Sequence, residues 1–102
     1  MYSLYGFVTP APGMRSELRE VLLSLVAPSR AEPGNVEYHL HEEDDGRFFL
    51  YEVWRGDADF AAHMETPHMT GFARRAGDLI AGAPEAYHGR MISPPVSVRA
   101  PV

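Results

Sequence analysis

The chain has 102 residues, 45% of them apolar, with five histidines, no cysteine and a net charge of −5 carried against nine basic residues that are all arginine. One globular domain over 1–102 with a modest core fits that length and composition. They exclude thiolate and iron–sulfur chemistry, Schiff bases on a lysine, and a basic stripe for nucleic acid. No apolar run approaches the roughly 18 residues of a membrane-spanning helix. Met1-Tyr2-Ser3-Leu4-Tyr5 lacks the charged and apolar regions of a signal peptide, so a cytoplasmic setting is expected.

Leu4 to Thr9 is rich in aromatic and β-branched residues and predicts a first strand, ended by Pro10, Pro12 and Gly13. Met14, Leu18, Val21, Leu22, Leu25 and Val26 fall on one helical face, and Pro28 is expected to close that helix. Val36, Tyr38 and Leu40 alternate with Glu37, His39 and His41, the period of a strand. Glu42 to Gly46 predicts an acidic turn. Arg47 to Arg55 then forms a strand that is apolar on nearly every residue. Such a strand needs cover on both faces, and helices of so small a chain cover one. A second copy of the chain is expected on the other.

Asp57 is placed to cap a short helix through Met64, and Thr66-Pro67 to start a third. Met69, Phe72, Ala73, Ala76, Leu79 and Ile80 make its inward stripe, which Gly82 and Pro84 stop. Ala86 to Ile92 predicts a last strand, and 93–102 an extended proline-rich tail. The order is β-α-β-β-α-α-β, an α+β chain of the ferredoxin-like split βαβ type.

Four histidines, one tryptophan and two strand tyrosines carry the chemistry to weigh. His63 follows Trp54 by one short helix and shares a helical face with Phe60. It reads either as a packing residue bonded to a carbonyl or as a proton-transfer group in an aromatic pocket. Trp54 reads as a pocket wall for a flat substrate or as plain core. Tyr38 and Tyr51 offer hydroxyls to a pocket, or serve core and interface. His68 in the first turn of the third helix is a second polar candidate or a surface residue. His39 and His41 sit two apart on one strand with no third ligand at metal spacing, and His63 and His68 are not one helical turn apart as a zinc motif requires. No metal is therefore expected. No glycine-rich phosphate loop appears, so no nucleotide or flavin is expected either.

The run Tyr51-Glu52-Val53-Trp54, then Phe60-Ala61-Ala62-His63-Met64, then Thr66-Pro67-His68-Met69 resembles the antibiotic-biosynthesis monooxygenase family. The resemblance extends over essentially the whole chain. It implies ferredoxin-like protomers paired through their sheets into a dimeric α/β barrel, with a pocket between helices and sheet. It also implies cofactor-free oxidation of a small electron-rich aromatic, a quinol or polyketide-like compound, by molecular oxygen. His63 sits where many members keep a histidine, and His63 and Trp54 are the implied catalytic pair. The implied substrate-binding set is Tyr38, Tyr51, Phe60, Met64, His68, Phe72 and Arg74, the last matching an arginine of the anthrone-oxidising members. Those members place an asparagine four residues before the tryptophan and a tyrosine six after it. Here Leu50 and Phe60 stand there. Haem-degrading members keep a histidine near Ala73 and a first-strand asparagine, and both are missing. The helix pair is closest to the quinol-monooxygenase branch. A non-catalytic ligand-binding module and an isomerase of a small phosphorylated signalling sugar are the alternative readings.

Overall fold

A computed structural model describes residues 1–96; the end of the expected tail, 97–102, lies outside the described residues. The elements in chain order are β1 (Tyr2–Val8), α1 (Arg15–Ser24), α2 (Val26–Arg30), β2 (Asn35–Glu42), β3 (Phe48–Trp54), α3 (Asp57–Met64), α4 (Pro67–Leu79) and β4 (Glu85–Arg90). The four strands form one antiparallel sheet in the order β2-β3-β1-β4, the ferredoxin-like arrangement.

Two local expectations are corrected. Pro28 does not close the first helix. The helix pauses at Leu25, whose N–H bonds the Leu22 carbonyl at 3.1 Å, and restarts with Pro28 in the first turn of α2. A first-turn proline loses no intrahelical bond, so it is tolerated there. Asp57 is not the cap of α3; Gly56 holds that position without a side-chain bond, and Asp57 and Asp59 lie in the first turn, where the helix dipole favours acidic residues. Thr66 does cap α4, accepting from the Met69 N–H at 3.4 Å, with Pro67 as first helical residue.

Register sorts the two faces of the sheet. Leu4, Leu50, Tyr38 and Leu40 share a face with Phe48, Glu52 and Trp54. The helices cover this face. Leu18, Leu22 and Leu25 pack with Phe48, Leu79 and Ile80, and Met69 and Phe72 of α4 close over them. Each such buried side chain contributes roughly 1.5–3 kcal/mol of hydrophobic stabilisation. Gly6 of β1 has no room for a side chain, because a Cβ there would lie 2.2 Å from the Glu85 carbonyl oxygen of β4.

The opposite face carries Tyr5, Phe7, His39, His41, Phe49, Tyr51 and Tyr87. Phe7 and Phe49 lie 5.2 Å apart between ring centroids, Tyr5 stacks on Tyr87 at 5.9 Å, and His39 stacks on Tyr51 at 6.5 Å. Tyr5 and Tyr87 remain 39% and 48% exposed. The aromatic bed thus lies bare on one side of the chain.

Candidate active site

A polar cluster forms where α3, the start of α4 and the loop after α2 meet the end of β3. His63 projects inward from α3 and is fully buried. Its ring packs 4.5 Å from that of Trp54, 6.0 Å from Tyr38 and 6.1 Å from Phe60. Its Nδ1 is 2.7 Å from Oε2 of Glu32, and His68 Nε2 reaches the same oxygen at 2.9 Å. Thr66 Oγ1 donates to the His63 carbonyl at 2.7 Å and lies 3.2 Å from His68 Nε2. The capping threonine of α4 therefore also ties the two histidines together.

Behind His63 lies Glu52, which is also buried. The Trp54 indole N–H donates to Glu52 Oε1 at 2.9 Å, and the same oxygen is 3.8 Å from His63 Nε2. That nitrogen is buried and has no hydrogen-bond partner among the described residues. Burial pushes the Glu52 carboxyl up to about 7, with the Trp54 bond opposing and the Glu32 charge adding to the rise. Burial pushes His63 down, against the opposing pull of Glu32. Tyr38 is raised far above the usual phenol range, by burial first and the Glu52 charge second.

An apolar cavity of about 110 Å³ lies beside this cluster, between the sheet and helices α1 and α4. Leu4, Leu40, Phe48 and Leu50 line its sheet side, Leu22, Leu25, Met69 and Phe72 its helix side, and Tyr38 belongs to its wall. A 150 Å³ apolar cavity of another protein holds benzene, so this one is of single-ring size.

Several sequence expectations are sorted by this geometry. Tyr38 and Phe72 line the cavity. His63, Trp54, Phe60 and His68 gather in the adjoining cluster. Trp54, read as a pocket wall or as plain core, is wholly buried and does not line this cavity. Tyr51 lies on the other side of the sheet, where strand alternation puts it, with its hydroxyl 3.8 Å from the Met91 sulfur. Met64 and Arg74 are exposed on the outer sides of α3 and α4.

Glu32 and Glu52 were not foreseen from sequence. Glu52 had a signal: it is the one carboxylate inside the apolar run of β3. Glu32 had none, since only folding brings it to residues 31 and 36 positions away. It also supplies a third ligand type to the two histidines, so among the described residues Glu32, His63 and His68 present ligand atoms all within 4.8 Å of one another. Two histidine nitrogens meet one carboxylate oxygen at hydrogen-bond distance there.

The antibiotic biosynthesis monooxygenase family model matches residues 1–75. The chain is 34% identical over 82 residues to "Putative monooxygenase YcnE" of Bacillus subtilis, covering 78% of this chain and 86% of that one. It is 32% identical over 78 residues to the uncharacterized protein sll1783 of Synechocystis, covering 74% of this chain but only 53% of the longer relative. The crystal structure of PA3566 from Pseudomonas aeruginosa superposes with a TM-score of 0.84 at 34% identity, over 90% of this chain and 94% of that one. No helix of the described residues is long and apolar enough to cross a membrane. Fold, motif and family match agree, and the chain belongs to the antibiotic biosynthesis monooxygenase family.

Proposed function

We propose that this protein is a cytoplasmic, cofactor-independent monooxygenase that oxidises a small electron-rich aromatic, a quinol or polyketide-like phenol, with molecular oxygen. The observation that carries this reading is the single-ring apolar cavity with a buried histidine–carboxylate cluster directly behind its Tyr38 wall. A phenol or enol that loses its proton becomes reducing enough to pass one electron to oxygen. Recombination of the two radicals forms a carbon–oxygen bond and a peroxide. The peroxide takes up a proton, the C–H bond of the carbon that bears it breaks as its O–O bond breaks, and that carbon becomes a carbonyl while the departing hydroxide takes the C–H proton and leaves as water. Such a reaction asks the protein for a proton acceptor, stabilisation of the anion and a dry pocket. In this reading the proton goes to the cluster headed by His63, and Trp54 positions that cluster rather than the substrate.

The test is oxygen uptake by the purified protein over a panel of single-ring and fused-ring quinols. One oxygen consumed per carbonyl formed is the expected result. EDTA should leave the rate unchanged; loss of activity with EDTA and its return with one metal would overturn cofactor independence. Saturable binding of a quinol without oxygen uptake would instead mark a non-catalytic binding module. Oxygen-independent conversion of a phosphorylated sugar would mark an isomerase.

The bare aromatic sheet face is proposed to be covered by a second copy, closing the dimeric barrel. Covering it would bury on the order of 2,000 Å² in total, the scale of a stable homodimer. Phe49→Asp, which puts a charge in the middle of this bed, should shift the light-scattering mass from dimer to monomer. A monomeric mass for the unaltered protein at micromolar concentration would sink the dimer.

A further inference from the structure

We propose that Glu52 is the group that takes the substrate proton at the inner end of the cavity and hands it to His63, with Glu32 holding His63 in the tautomer that receives it. This rests on the oxygenase reading for its reaction, but its geometry stands apart from it.

Glu52 adjoins both His63 and the residues that line the cavity. On the helix-facing side of the sheet its cross-strand neighbours are Leu4 and Tyr38, and the preceding residue on that side is Leu50. All three line the cavity, while Glu52 and His63 lie just behind that lining. Glu52 is the ionisable carboxyl that adjoins both this lining and His63, with Tyr38, 6.0 Å from the His63 ring, as its neighbour in the cavity wall.

Glu32 settles which nitrogen of His63 is free. Its side chain is 13% exposed and has two ring nitrogens within 2.9 Å of one oxygen. A carboxylate accepts only, so Nδ1 of His63 carries the hydrogen and Nε2 is left as a lone pair. That lone pair is buried and unpartnered, and the Glu52 carboxyl 3.8 Å away faces it. A buried, unpaired nitrogen is costly, and a small approach by a protonated Glu52 satisfies it. The Glu52–His63–Glu32 line thus has the logic of a base oriented by a carboxylate on its far nitrogen.

The step balances. The substrate O–H bond breaks and its proton bonds to the Glu52 carboxylate. Glu52 passes the proton on to His63 Nε2 in an uphill, transient step, since burial favours the neutral ring, and the imidazolium is paired with Glu32 across 2.7 Å. The electron pair stays on the substrate, whose anion reduces oxygen. The proton returns along the same line to the peroxide; its O–O bond then breaks together with the C–H bond of the carbon that bears it, so that carbon becomes the carbonyl and the departing hydroxide takes the C–H proton to leave as water. Glu52 is well matched to give and take a proton near neutrality, since burial raises it to about 7. The groups that face it are Tyr2 from β1, Tyr38 from β2, the Trp54 indole from β3, His63 from α3 and the more distant Glu32 charge.

The test pairs nitrogen NMR of His63 with kinetics, using Glu52→Gln in the whole protein. Gln keeps the oxygen that accepts from Trp54, and the amide spectrum checks the fold. Between about pH 5 and 9 the His63 Nε2 signal should move together with the Glu52 carboxyl carbon in the unaltered protein. In E52Q that common step should vanish. An Nε2 that titrates identically in E52Q, or that proves to carry the hydrogen while Nδ1 is bare, overturns the proposal. With an oxidised quinol in hand, E52Q and His63→Asn should each slow turnover at least about tenfold, and the double variant no further than the slower single one. Full activity of E52Q overturns the relay and leaves the oxygenase standing. If the unaltered protein oxidises nothing, the oxygenase reading falls and the NMR result alone judges the proton pair.

Discussion

Replacing His63 by alanine is expected to lower quinol turnover at least about 10²-fold, the lower range for loss of a positioned proton-transfer group. The structure adds a cost in stability. His63 is fully buried and supplies one of the two ring nitrogens on the Glu32 oxygen. Alanine leaves that carboxylate short of a partner and opens a void, for a loss of roughly 1–3 kcal/mol. A domain of this size has about 5–15 kcal/mol to lose and should remain folded. His63→Asn separates the two effects, because its amide N–H lies near the place of Nδ1 and still serves Glu32, while the side chain does not titrate. Slow turnover with near-normal melting is the expected result for this variant. A packing role for His63 would show the reverse: normal rate per folded molecule for both variants, with a lowered melting temperature for alanine. Trp54→Phe is expected to act through Glu52, since it removes the indole N–H that bonds Oε1 at 2.9 Å. It should change the pH profile of turnover more than the binding of substrate.

The second large effect concerns stability against pH. Burial raises Glu52 from an ordinary 4.5 to about 7. The folded protein therefore binds this proton more tightly than the unfolded chain does. The stability that this provides is fully present below about pH 4.5 and is lost as pH rises through 7. The loss amounts to about 3 kcal/mol once Glu52 is ionised, at about 1.4 kcal/mol for each pH unit of separation. Glu52→Gln removes the ionisation but keeps the acceptor for Trp54. The variant should match the unaltered protein near pH 4 and exceed it by up to about 3 kcal/mol near pH 8, measured by urea unfolding at both. His63 works in the opposite direction. Its lowered value makes the neutral ring the stable one, so its contribution is present above about 6.5 and is lost as pH falls. Because the two groups are 3.8 Å apart and titrate together, the difference between the proteins reports the Glu52 ionisation with its coupling to His63. A variant that is less stable near pH 8, or that loses stability over the same window as its parent, would rule the buried carboxyl out as the cause. Gain of stability with loss of turnover in one substitution is the pattern of a group held at a cost for its chemistry.

Local pattern was enough for most of the fold. The alternation from Val36 to His41 marks β2, and the spacing of Met69, Phe72, Ala76 and Leu79 marks the buried side of α4, because period reports directly which side of an element meets the core. Thr66-Pro67 marks the start of α4 for an equally local reason, the need to satisfy the first free N–H groups of a helix. The apolar run of β3 implied a sheet with two covered faces, yet it could not say which residues share a face, since a strand apolar on both sides carries no alternation. Pairing with β1 decides that, and it sends Tyr51 to the bare face and Glu52 to the helix side. Pro28 misled because its effect depends on its place in a helical turn, which the pause at Leu25 sets. The candidate site lay furthest from view. His63 was legible as an inward residue of α3, but its partners come from a loop and a strand far away in the chain, and no local period encodes their meeting. Only the packing of α3 over the end of the sheet buries Trp54, aims the free nitrogen of His63 at Glu52 and raises that carboxyl toward neutrality, because desolvation is a property of the assembled interior and not of any segment within it.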